Sequence, residues 1–92
     1  MNQTTLDTCE LERLLEPECG YLQPLEIARV AAYALAVGRF AQPQLFAGGD
    51  LAIVALALDA REQLWPDQDA EPAGAYTALV FALCHVVYGD GS

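Results

Sequence analysis

From Pro72 to Gly89 the chain carries no formally charged side chain when His85 is neutral, and few folds can absorb such a run. It is close in length to a membrane span. Its first residues are Pro72, Ala73 and Gly74, the strongly apolar part covers only Ala75 to Tyr88, and no Lys or Arg follows to anchor a cytoplasmic side. The stretch therefore reads as a buried helix and not as a membrane segment. Val80, Val86 and Val87 would also suit a strand. The run is too long for a typical strand, and Ala75, Ala78, Leu79, Ala82 and Leu83 are good helix formers.

So apolar a helix needs other elements to cover it. The chain has 92 residues, 54% of them apolar and 18% charged, with a mean hydropathy of +0.24. That is enough to fold and enough for one helical domain over 1–92, with residues 1–6 and 89–92 as flexible ends.

Proline and glycine divide the chain into four helical segments. The first is expected from Thr8 to Glu16, with Asp7 and Glu10 forming a capping box and Leu11, Leu14 and Leu15 forming one apolar stripe. Pro17 and Gly20 end it. The second is expected from Pro24 to Ala41, where Ile27, Val30, Ala31, Ala34 and Val37 follow helical spacing and Gln42 with Pro43 close it.

The third is expected after Gly48 and Gly49, with Asp50 as N-cap, and ends at Trp65 before Pro66. Its first two turns are apolar on every side, which places it at the centre of the fold or across a subunit contact. The fourth spans Pro72 to Tyr88. The expected fold is all-α, a small four-helix bundle with a short N-terminal helix and three longer ones, in which alanines such as Ala31, Ala34, Ala55 and Ala57 let the axes approach closely.

Charge is unevenly spread. Residues 1–26 hold six acids and Arg13, residues 27–58 hold Asp50 with Arg29 and Arg39, and residues 59–92 hold six acids and Arg61, for a net −9. With four basic residues and no lysine, the chain lacks a phosphate-neutralising surface, which argues against nucleic-acid binding and for a partner with a basic surface. The absence of lysine with abundant alanine also suggests a bacterial, GC-rich source. Cys9, Cys19 and Cys84 are an odd set with no metal-ligand spacing and no leader ahead of them, so a cytoplasmic location and no disulfide framework are expected.

No constellation of side chains survives as a catalytic, metal or cofactor motif. Cys84 and His85 are adjacent on one helix and point about 100° apart, unlike a thiol and its base. Asp67, Asp69 and Glu71 have the alternation of a calcium loop, but Pro72 and Ala78 stand where glycine and glutamate belong. Gly48 and Gly49 precede a helix as in a phosphate loop, yet Asp50 already occupies the site with negative charge. Glu12 and Glu16 read as a solvated pair, and Tyr33, Phe40 and Trp65 as core or interface aromatics.

What remains is a surplus of apolar surface for a small fold. A homodimer would cover it, with Leu51, Val54 and Leu58 or Tyr76, Val80 and Leu83 against their own copies. Partner contacts are expected at the detachable first helix, through Leu11, Leu14 and Leu15, and at the acidic Asp67, Asp69 and Glu71. The expected function is a non-enzymatic regulator that binds another protein and occludes it. Such a protein would be an antiactivator of a transcription factor, or a phage-type inhibitor of a nucleic-acid-binding complex such as an anti-CRISPR. A chaperone covering a partner helix is the alternative, and an enzyme using His85 ranks last.

Overall fold

The computed structural model describes residues 7–40 and 42–88, with side chains except at 39 and 42–47. Among the described residues the chain is all-helical: α1 (Thr8–Leu15), α2 (Pro24–Phe40), α3 (Gln42–Leu64) and α4 (Ala75–Tyr88), with a short 3-10 turn at Gln68–Ala70 between the last two. The radius of gyration, 12.5 Å, is about that of a compact chain of this length. No helix among the described residues is long and apolar enough to cross a membrane. The ends expected to be flexible, 1–6 and 89–92, lie outside the described residues, as do Ala41 and Gly89.

The start of α1 follows from two side chains. Asp7 accepts from the Glu10 backbone N–H at 2.9 Å, and the Glu10 carboxylate accepts from the Asp7 N–H at 3.2 Å, so free N–H groups are satisfied reciprocally. Glu16 is the C-cap, and the chain turns through Cys19 into α2.

The directions of the long helices can be read from contacts at their ends. The Tyr21 hydroxyl donates to the Gly74 carbonyl at 3.4 Å, just ahead of both α2 and α4. Near their far ends, Gly38 lies so close to α4 that a Cβ would sit 2.7 Å from Val86 Cγ1, so the two helices run parallel. Helix α3 runs opposite to α4: Tyr88 donates its hydroxyl to Asp50 Oδ1 at 3.1 Å at one end, and Arg61 pairs with Glu71 at 3.5 Å at the other.

The core is small-residue rich. Ala31, Ala34, Ala57, Ala60, Ala75, Ala78 and Ala82 are all buried and let the axes approach, while Leu11, Leu15, Val30, Ile53, Leu79 and Leu83 fill the space between. Trp65 closes one end beneath Arg29, whose guanidinium lies 5.4 Å from the ring centroid and donates to the Leu64 carbonyl at 2.8 Å. Pro66 prevents α3 from continuing, and Arg29 caps a carbonyl left free by that stop.

Three expectations need correction. Residues 42–48 are helical where a connection was expected, so α3 carries a segment ahead of the expected helix, which itself follows the glycine pair. The break falls inside the helix at Gly49, with φ +61° and ψ −143°, a region open essentially to glycine alone. Second, α3 is not the centre. That place belongs to α4, which packs against all three other helices and buries Ala75, Ala78, Leu79, Ala82, Leu83 and Val87. Third, α4 starts at Ala75, three residues after Pro72, because Pro72 to Gly74 form the turn into it.

Candidate interaction surface

Helix α3 presents two faces. Ile53, Ala57 and Ala60, at helical spacing, are buried, while Leu51 is 82% exposed and Leu58 43% on the side away from them. Val54 and Ala55 are exposed between the two leucines. On α4, Phe81 and Tyr88 are exposed. The Tyr88–Asp50 hydrogen bond joins the two helices at the start of the α3 run.

The opposite end of the molecule is acidic. The Tyr21–Gly74 contact brings the turn holding Glu16 and Glu18 to the end where residues 67–71 join α3 to α4. Glu16, Glu18, Asp67 and Asp69 are exposed there. Asp67 caps the 3-10 turn by accepting from the Asp69 N–H at 3.1 Å, and Glu71, half-buried, holds Arg61.

The sequence-expected contact residues therefore divide. Leu11 and Leu15 are fully buried in the chain's own core and Leu14 is half-buried, so α1 is docked and a partner could reach the stripe only by displacing it. Of the residues expected to pair between copies, Leu83 is fully buried, and Tyr76 and Val80 are half-buried against the core. Leu51, Val54 and Leu58 stay on the surface. Sequence reasoning missed Phe81 and Leu25 as exposed residues, and the pairing of Asp50 with Tyr88. No spacing rule would have found that last contact, which joins residues distant in sequence.

The fold favours the protonated forms of two thiols and three phenols. Burial pushes the Cys19 and Cys84 thiols up, with Asp50 adding to the effect at Cys84. Accepting by Asp50 raises the Tyr88 phenol, and burial raises those of Tyr21 and Tyr33. A thiolate nucleophile needs the reverse shift, so the surroundings of Cys84 work against its use beside His85. Among the described residues no group of His, Cys, Asp and Glu is placed to hold a metal ion, and no polar or charged side chain is buried.

Comparison with protein-family models, with curated proteins and with solved structures gave no match.

Proposed function

We propose that this protein is a non-enzymatic regulator that binds a partner with a basic surface through its acidic end and disables it by occlusion. One observation carries the reading: Glu16, Glu18, Asp67 and Asp69 are exposed at the same end of a chain of net charge −9. Like-signed carboxylates gathered on one surface raise the encounter rate with a cationic surface and fix the orientation of approach. In this reading the four-helix bundle is a rigid carrier, and its carboxylates take the place of phosphates on a protein that otherwise grips nucleic acid. An antiactivator and an inhibitor of the anti-CRISPR kind both work in this way.

The test is capture by the tagged protein at low and high salt, compared with the Glu18→Gln, Asp69→Asn double variant and repeated with duplex DNA as competitor. A stoichiometric basic partner released by salt, by neutralisation and by DNA is the expected result. Retention that ignores the neutralised carboxylates would remove the acidic end from the contact. The chaperone alternative separates on outcome, because a chaperone raises the partner's activity or solubility and an occluding inhibitor lowers its activity. An enzyme would show turnover that disappears in His85→Ala while the helical fold persists.

A further inference from the structure

The exposed face of α3 has a self-complementary order. Asp50, Val54, Leu58 and Arg61 follow at spacings of four, four and three and so share one side of the helix. The side reads acid, apolar, apolar, base. Leu51 and Ala55 lie beside it, and from Leu51 to Leu58 there is no formal charge.

We infer that this face packs antiparallel against the same face of a second copy, about a twofold axis passing between Val54 and Leu58. In that register Asp50 of each copy meets Arg61 of the other at both ends of the contact, and the apolar residues meet between them. Arg61 has room for a second carboxylate. Its side chain is 35% exposed and meets Glu71 through Nε, and a guanidinium has further N–H donors for a second carboxylate.

The apolar side chains of this face are open to a second copy: Leu51 is 82% exposed, Val54 and Leu58 are exposed beside it, and Tyr88, bonded to Asp50, is exposed at one end. The pairing lies along the side of α3 and uses none of the four carboxylates of the proposed partner contact, so it stands or falls separately from that reading.

Charge reversal tests the register. Sedimentation and light scattering on the whole chain should show a dimer at about 100 µM, as expected for a micromolar or tighter contact. Leu58→Asp should weaken it about 30-fold or more, the effect of removing a central apolar anchor. Asp50→Arg and Arg61→Glu should each weaken self-association, because each puts two like-charged pairs into its own dimer. Mixing the two variants should restore a dimer, since in the hybrid a positive side chain faces a negative one at both ends of the contact. Circular dichroism of each variant checks that the helices remain, and Asp50→Asn separates charge reversal from loss of the Tyr88 hydrogen bond. A monomeric wild type would overturn the inference, as would a dimer indifferent to Leu58→Asp. Single variants that lose the dimer without rescue on mixing would overturn the antiparallel register.

Discussion

In α1 the leucines at 11 and 15 are covered and the acids at 10 and 16 face solvent; in α3 the leucines at 51 and 58 face solvent while alanines at 57 and 60 are covered. The short helix has a strong contrast between its two sides, and the contrast decides which side goes in. The long helix is apolar all round, so its total hydrophobicity leaves the inward side undecided, and shape selects it. Small alanines go where α3 must approach α4 closely, and the larger leucines are left outside. Patterning locates burial, whereas apolar content alone locates only a need for cover.

The most direct way to break this comparison is at Leu15. Truncation of a fully buried leucine leaves a cavity, and Leu15→Ala should cost about 2–5 kcal/mol of stability in urea unfolding. A loss below ~1 kcal/mol would mean that α1 is only loosely docked and that its stripe is available to a partner after all.

Next in size is the break within α3. Gly49 combines a positive φ with a ψ that other residues avoid, and nothing lies within 4 Å of where its Cβ would be. The expected cost of Gly49→Ala is therefore backbone strain without a clash, about 1–3 kcal/mol, read from the thermal midpoint. An unchanged or raised midpoint would show that α3 can straighten through this position.

The cap of α1 contributes less. Asp7→Ala removes the acceptor for the Glu10 N–H and should cost about 1 kcal/mol, measured by the same unfolding experiment. A capping box was legible because it is local: two residues three apart specify both hydrogen bonds. The positions of α2 and α4 were legible for similar reasons, through periodic apolar residues and flanking turns. Long-range choices were not. Neither the Arg29 cap over Leu64 nor the Asp50–Tyr88 pair has a local signature, since each depends on two helices meeting at a given height. The glycine pair was read as a loop because Gly-Gly ordinarily marks one, while here Gly48 is helical and only Gly49 leaves the helix. The same limit explains why the acidic residues before α2 and before α4 could not be assigned to one end from their spacing alone.

A smaller effect comes from pH. Cys19 and Cys84 hold their protons more tightly in the fold than at the ordinary thiol value of 9.0, chiefly because they are buried. Above that value the folded chain binds more protons than the unfolded one, so this contribution is complete below pH 9.0 and is lost as pH rises through the raised folded values. The urea midpoint should therefore fall as pH rises above about 9. Cys19→Ala should flatten that slope, whatever it does to stability at neutral pH.

The smallest effect sharpens the comparison most. Leu51 is the most exposed residue of the α3 stripe, and Leu51→Asp removes no core contact and places a carboxylate near the positive end of the helical run that restarts after Gly49. In dilute solution, where the chain is a monomer, its unfolding free energy should stay within about 0.5 kcal/mol of wild type. At higher concentration the wild type should gain stability from pairing while the variant should not, because association stabilises only the folded form. A variant destabilised equally at every concentration would place Leu51 in the monomer's own packing. Concentration dependence confined to the wild type would assign the exposed leucines of α3 to a contact between chains and leave those of α1 to the fold itself.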